Sequence, residues 1–371
     1  MRYEKSMSQL RETIADVDRA LLELLRRRME LAAEVGELKA RRGEPVVVRD
    51  VEDRVLTRAR QHADACGVSE TVMATIFQSI MRGSIERQHR VGIELRRKRG
   101  SRMLVLGGAG AMGAWLTEFL TATGHTVELV DPAFATLPPS PGRYRDLDGV
   151  GDLDAFAAIW VSVPLAGTAD VLDALVARRP AGLVVEIASI KAPLVPALRQ
   201  ATRLGVRVSS LHPMFGPGKS IYEPLTMVLA CRDDEESERE RLLPFLQHPY
   251  THLITLPFGH HDRLMGWLLG LAHLSGMAFG AAIARSGLDA AELTACASTT
   301  YARQAATARS VLGEDPDLYL DIQRLNPHRD EVHRAAREAL EHLSALVADG
   351  DRESFRATLT QARQALGDEL A

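Results

Sequence analysis

Three sets of residues in this 371-residue chain have the types and spacing to do chemistry. The first is VLGGAGAMG, where Gly108, Gly110 and Gly113 keep a G-x-G-x-x-G spacing after a short apolar run and before a helix-like stretch. Glycines in that pattern permit a tight turn and let backbone amides approach a pyrophosphate at a helix N-terminus; Met112 belongs to the same turn. The next apolar run, TVELVD, ends in Asp131, 18 residues after Gly113. A carboxylate there accepts hydrogen bonds from ribose hydroxyls and repels a 2′-phosphate. Pro132 follows instead of a basic residue, so the expected cofactor is NAD and not NADP.

The second set stands at the ends of the later apolar runs, where sheets of this kind bind their ligands. VSVP supplies Ser162 and Pro164, EIASIK supplies Ser189 and Lys191, and SSLHPMFGPG supplies His212. A serine and a histidine converging there can bind a substrate hydroxyl and take its proton while hydride leaves the alcohol carbon. Histidine suits the task because it titrates near working pH.

The third set is cationic. Leu10, Ile14, Val17, Leu21, Leu24, Leu31, Val35 and Leu38 follow the 4-3 alternation of a packed helix seam, yet the slot at position 28 holds Arg28. Lys39 lies 11 residues on, about 1,100° around the helix and hence on nearly the same face, about 16 Å along it. Ser84 and Gln88 are spaced i, i+4 on another helix. An apolar seam tolerates such groups when an anion comes to pair with them. The competing reading lets the Arg28 head reach solvent or pair with Glu23.

The elements that must carry these residues fall into three regions, and the fold expected is multidomain. Residues 1–92 read as an all-α domain, 93–101 as a charged linker, 102–258 as an α/β Rossmann-type NAD domain, and 259–371 as an all-α C-terminal dimerisation domain. Short apolar runs alternate with helical stretches only in the middle region, the pattern of a parallel sheet with crossovers. A first helix over residues 6–42 would be about 55 Å long, far longer than a domain of this size is wide. It needs a second copy to cover its seam, so a homodimer is expected.

Composition narrows the classes further. The chain is 46% hydrophobic and 25% charged with net charge −4. No uninterrupted apolar run reaches the about 18 residues of a membrane span, and no signal-peptide layout opens the sequence. Cys66, Cys231 and Cys296 are scattered without metal or redox spacing. A cytoplasmic protein with no metal and no membrane partner is expected. Residues 1–100 carry net charge +5, but Arg26, Arg27 and Arg28 point about 100° apart and form no stripe for nucleic acid.

Taken together, the glycine motif, ASIK and LHPMFGP in that order resemble the prephenate dehydrogenase family. The resemblance implies that Ser189 and His212 contact the substrate hydroxyl, with His212 the catalytic acceptor, and that Asp262 and His273 of HDRLMGWLLGLAH lie in the helix closing the site. It also implies a carboxylate-binding arginine; Arg309 in ARSVLGEDPDLY stands one residue further from Asp315-Pro316 than the family spacing, and Tyr319 holds an aromatic position. Residues 1–90 are similar to the all-helical chorismate mutase domain, with Arg11, Arg28, Lys39, Glu52, Ser84 and Gln88 at matching positions. The pairing resembles the bifunctional enzymes of tyrosine biosynthesis, which implies rearrangement of chorismate to prephenate and its NAD+-dependent oxidative decarboxylation to 4-hydroxyphenylpyruvate. Arg11 is then donated to the partner's mutase site. The rearrangement is pericyclic, so folding a dianion against fixed cations suffices.

One departure stands out. The family has an arginine before Glu52 and an acidic residue slightly earlier; this chain has Val51 and Val48, with Arg49 close by. Two alternatives follow: the same reactions on 4-amino-4-deoxychorismate and its prephenate analogue, or a prephenate or arogenate dehydrogenase with a non-catalytic N-terminal module.

Overall fold

The computed structural model describes residues 6–44, 46–96, 100–138, 140–248 and 250–367. They fold as two compact units. One comprises Met1–Ile159, Pro213–Met227 and Glu240–Leu253; the other comprises Trp160–His212, Val228–Arg239 and Ile254–Ala371.

The first unit begins with three helices, α1 (Met7–Arg42), α2 (Arg49–Gln61) and α3 (Glu70–Arg96). A capping box starts α1: Ser6 Oγ accepts from Gln9 N, and Gln9 Oε1 accepts from Ser6 N. Gly43 ends it in the left-handed region at φ 69°, a conformation glycine adopts without a Cβ clash. Gly36 is buried where α1 meets α3, and a Cβ there would stand 2.6 Å from Gln88 Cα. Nothing in IEL breaks a helix, so α3 runs on to Arg96 and residues 93–96, expected in the linker, are its last turn. The His89 ring near that end lies 4.0 Å from Tyr250. One row of α1 is left bare: Ile14, Val17, Leu21, Leu24 and Leu31 are all more than half exposed.

Eight strands follow: β1 (Arg102–Leu106), β2 (Thr126–Val130), β3 (Arg143–Tyr144), β4 (Ala158–Val161), β5 (Leu183–Glu186), β6 (Val208–Pro213), β7 (Leu225–Cys231) and β8 (Thr251–Pro257). Their order in the sheet is β3-β2-β1-β4-β5-β6-β7-β8. β1 pairs in parallel with β2, β2 with β3, and β5 with β6. Between them run α4 (Ala111–Ala122), α5 (Thr168–Ala177), α6 (Val195–Leu204) and α7 (Glu235–Leu242). Residues of β1, β4 and β5 such as Leu104, Trp160 and Val184 have no exposed surface, as continuous apolar runs of a doubly covered sheet require.

Beyond β8 the second unit is helical. α8 (Phe258–Met265), a π turn (Gly266–Leu271) and α9 (Ala272–Ser286) form one run, followed by α10 (Ala290–Ala295), α11 (Thr299–Leu312), α12 (Pro316–Leu325), α13 (Arg329–Asp349) and α14 (Arg352–Leu366). Contrary to the expectation from uninterrupted apolar runs, Phe258–Ser286 is long and apolar enough to cross a membrane by length and composition. In this fold it carries the buried His261 and Asp262 at one end. Gly276 lets it lie close to α11, where a Cβ would meet Val311 Cγ2 at 3.2 Å.

Candidate functional site

The glycine turn links β1 to α4. Gly107 opens it at φ 82°, the left-handed region that favours glycine. A Cβ on Gly113 would lie 2.1 Å from Gly107 O, so only glycine lets α4 start this close to the strand. Gly110 is the N-cap of α4 and gives it no side-chain cap bond, which leaves that helix end to a ligand anion. Asp131 ties the turn to the end of β2: its Oδ2 accepts from Ala109 N at 3.0 Å and its Oδ1 from Ala133 N at 2.9 Å. Each oxygen retains a further lone pair for a ribose hydroxyl. In the second unit, Ser162 Oγ is buried without a protein partner and Pro164 precedes the next turn. In the first unit, an open helix end and a carboxylate at the end of β2 fit the pyrophosphate and ribose of a dinucleotide.

His212 sits in β6 and is 3% exposed. Its Nδ1 lies 3.1 Å from His261 Nε2. His261 Nδ1 in turn lies 2.8 Å from Asp262 Oδ1. Asp262 also accepts from Lys191 N at 2.9 Å through Oδ1 and from Ala192 N at 2.7 Å through Oδ2. Burial alone would raise the Asp262 pKa, but hydrogen bonds from His261 and the two amides outweigh it and hold the group a carboxylate. A carboxylate accepts only, so His261 donates from Nδ1; its Nε2 is then an acceptor, and His212 donates from Nδ1. This order leaves the lone pair of His212 Nε2 uncommitted. Burial, the Lys191 ammonium and His261 push the His212 pKa well below its ordinary value, so the ring stays neutral.

Beneath this relay, Lys191 is fully buried. Its Nζ donates to Glu186 Oε1 at 2.8 Å, to Glu186 Oε2 at 3.0 Å and to Leu211 O at 2.9 Å. One side chain thus clamps the end of β5 to the residue before His212. Ser189 is half-buried in the same β5–α6 connection. His273, on α9, meets Tyr319 edge to face at 4.3 Å. Burial lowers its pKa to about 4, and its Nδ1 is buried with no protein partner.

One expectation needs restating. Asp262, expected at the substrate, has both carboxylate oxygens engaged inside the protein, so it orients His261 and the Lys191 loop. Arg309 lies exposed in the last turn of α11. His261 and Glu186 were not singled out from sequence. The only signal was adjacency, since His261 precedes Asp262 and Glu186 precedes ASIK.

In the first unit, Arg28 donates through Nη1 to Ser84 Oγ and, at 3.1 Å, to Ile80 O on α3. Glu23, the alternative partner, pairs instead with Arg26. Burial depresses the Arg28 pKa, as for a cation kept from water. Beside it opens a cavity of about 430 Å³ with Val55, Ala59, Met73, Phe77 and Arg58 in its wall. Lys39 Nζ donates to Val46 O at 2.7 Å. Glu52 Oε1 and Gln88 Oε1 are buried acceptors with no protein partner. Arg11 is exposed; 17 residues from Arg28, it lies about 26 Å along the same helix. Val48 is the N-cap of α2 and Val51 is 44% exposed; the Arg49 side chain lies outside the described residues.

Comparison with known proteins finds two separate matches along the chain. Residues 10–89 match the profile of chorismate mutase type II, and residues 258–361 that of the prephenate dehydrogenase dimerization domain. A T-protein of Enterobacter agglomerans is 28% identical over 366 residues, covering 98% of this chain and 93% of that protein. The 4-amino-4-deoxyprephenate dehydrogenase of Streptomyces pristinaespiralis is 26% identical, covering 72% of this chain and 92% of that one. Among solved structures, prephenate dehydrogenase of A. aeolicus in complex with hydroxyphenyl propionate and NAD+ superposes with a TM-score of 0.57 at 16% identity, over 71% of this chain and 96% of that one. That likeness establishes the fold of the region it covers.

Proposed function

We propose that this chain, a bifunctional chorismate mutase/prephenate dehydrogenase by its two domains and their order, rearranges chorismate to prephenate and then oxidises prephenate to 4-hydroxyphenylpyruvate. The observation that carries the reading is the Asp262–His261–His212 relay, which presents a neutral imidazole with its Nε2 lone pair free.

In the dehydrogenase half, His212 Nε2 takes the ring hydroxyl proton as hydride leaves the same carbon. The pair of the ring–carboxylate bond flows into the ring, carbon dioxide departs, and the ring becomes aromatic. His212 then returns its proton to the phenolic oxygen, so histidine ends the cycle neutral. Bound at the glycine turn, NAD+ supplies the acceptor for the hydride. Gly108, Gly110 and Gly113 with Met112 would hold the pyrophosphate, Asp131 the ribose, and Ser162 and Pro164 the nicotinamide side. Ser189 orients the hydroxyl toward His212. His273 and Arg309 bind the remaining polar groups of the substrate, and Asp262 acts through His261 as a positioning residue.

In the mutase half no proton moves. Arg28 and Lys39 hold the carboxylates of a folded dianion, Gln88 the ether oxygen, and Ser84 braces the Arg28 head. Glu52 accepts from the ring hydroxyl. Arg11 cannot reach Arg28 along its own helix, so it serves the site of a second copy. The bare row on α1 supports that arrangement, since exposed apolar rows of this size mark association surfaces. The enzyme is thus a homodimer.

A second reading keeps both reactions on the 4-amino-4-deoxy substrates. The relative from Streptomyces pristinaespiralis favours it, and so do two buried acceptors, Glu52 Oε1 and Gln88 Oε1, in a chain with valines at 48 and 51. An amine offers more donors to such acceptors than a hydroxyl does. Steady-state turnover of the full chain decides between them, with chorismate, prephenate, arogenate and both amino analogues as substrates and NADH as readout. Efficient oxidation of prephenate formed from chorismate supports the first reading. Turnover confined to the amino series replaces it with the second, and no turnover of any cyclic substrate ends both.

A further inference from the structure

The helical run that closes the dehydrogenase half is not a continuous α-helix. Between α8 and α9 the six residues Gly266–Leu271 form a π turn. A π turn bonds i to i+5, so it admits one residue more than an α turn does. That extra residue changes which side chains share a face. His261 and His273 are 12 residues apart; on an uninterrupted helix at about 100° per residue they would diverge by about 120°. With one residue absorbed by the π turn, the divergence falls to about 20°. Asp262 moves the other way. It would align with His273 on a plain helix and is turned about 80° aside by the insertion, toward the Lys191 and Ala192 amides that it binds.

A π turn is held by what caps it. Gln323 on α12 donates from Nε2 to Gly270 O at 2.9 Å, inside the turn. Its Oε1 lies 2.8 Å from His333 Nε2 on α13. A carbonyl can only accept, so the Gln323 amide must present nitrogen to Gly270 and oxygen to His333, which donates. Three residues on, Asn326 Nδ2 donates to Asp262 O at 2.8 Å, just before the turn. Gly266 fits tightly beneath them, since a Cβ there would lie 3.2 Å from Val332 Cγ2.

We infer that Gln323, oriented by His333, is a positioning residue of the dehydrogenase site: its amide fixes the π turn that swings His273 onto the face of His261. The inference rests on the reading of His273 as a substrate contact. Nothing in the glycine turn or the mutase half passes through Gln323, so its loss acts on substrate binding alone.

The test uses the full chain, with mutase turnover and thermal midpoint as internal controls. Gln323→Leu raises KM for prephenate about tenfold, the effect of one buried hydrogen bond, with KM for NAD+ and mutase turnover unchanged. Gln323→Glu keeps the acceptor toward His333 but loses the donor, and gives the same loss. Amides of residues 266–275 exchange faster in Gln323→Leu. His273→Asn raises the same KM, and the double variant is no worse than His273→Asn, because both act through one contact. If Gln323→Leu binds prephenate normally while His273→Asn does not, the inference is overturned and the reading of His273 stands. An unchanged KM in His273→Asn overturns that reading and the inference with it. A parallel fall of mutase turnover and thermal midpoint in Gln323→Leu reduces the residue to general stability and also overturns it.

Discussion

The two halves of the molecule handle charge in opposite ways. Around its base, the dehydrogenase half closes the charged network on itself: Glu186 receives two hydrogen bonds from Lys191, Asp262 receives bonds from His261 and two amides, and the relay ends in one uncommitted lone pair on His212. The mutase half is open. Arg28 rests against neutral oxygens, and Glu52 and Gln88 keep buried acceptors unused. A reaction that moves a proton needs a base whose protonation is already settled, so its network is complete before substrate arrives. A rearrangement that only folds a dianion needs unspent hydrogen-bonding capacity, so the ligand completes the network.

That contrast can be broken from either side. His212→Asn removes the base and should lower dehydrogenase kcat by about 10²–10⁴-fold, leaving mutase turnover in the same sample unchanged. Arg28→Ala should lower mutase turnover by about 10²–10³-fold, the range for removing one preorganised donor, with dehydrogenase kcat intact. Loss of both activities in either variant would mean that the halves do not work separately. Asp262→Asn keeps the shape but lets an amide donor face His261, which favours the wrong tautomer; a fall of about tenfold or more in kcat with little change in KM is expected.

Smaller effects sharpen the comparison through pH. His212 is held below its ordinary value of 6.5 by burial, by Lys191 and by His261. Its base form therefore persists through neutral pH, and the acid limb of dehydrogenase kcat/KM should lie below 6.5. Replacing the clamp as a pair, Lys191→Met with Glu186→Gln, removes the ammonium without stranding the carboxylate and should move that limb upward. Burial also depresses His261, and it takes His248 and His273 to about 4. Between those values and 6.5 the unfolded chain binds more protons than the folded one, so stability falls as pH drops through that window. Thermal midpoints recorded from pH 7 to pH 4 should decline, and a flat profile would contradict the burial of these rings.

Legibility from sequence followed locality. The glycine turn could be read because its demands are met within seven residues: Gly107 at positive φ and no room for a Cβ on Gly113. Arg28 could be read because it breaks a periodic row. His261 could not, because its meaning depends on His212, 49 residues away. The roles of Asp262 and His273 came from the resemblance alone, and the π turn at Gly266–Leu271 that resets their faces leaves no mark in that motif. The reach of α3 to Arg96 was missed for a milder reason, since a charged stretch reads equally as linker and as exposed helix.

By itself, the sequence determined the three-region order, the nucleotide turn, the histidine at the end of β6 and the misplaced cation on α1. Each is written in residue type at short spacing, and backbone sterics or hydrogen-bond chemistry leave few alternatives. Tertiary structure decided the tautomer of His212, the clamp under it and the helix face that His261 and His273 share. Those depend on hydrogen-bond partners distant in sequence and on one extra residue in a helical turn, and neither leaves a periodic trace in the chain.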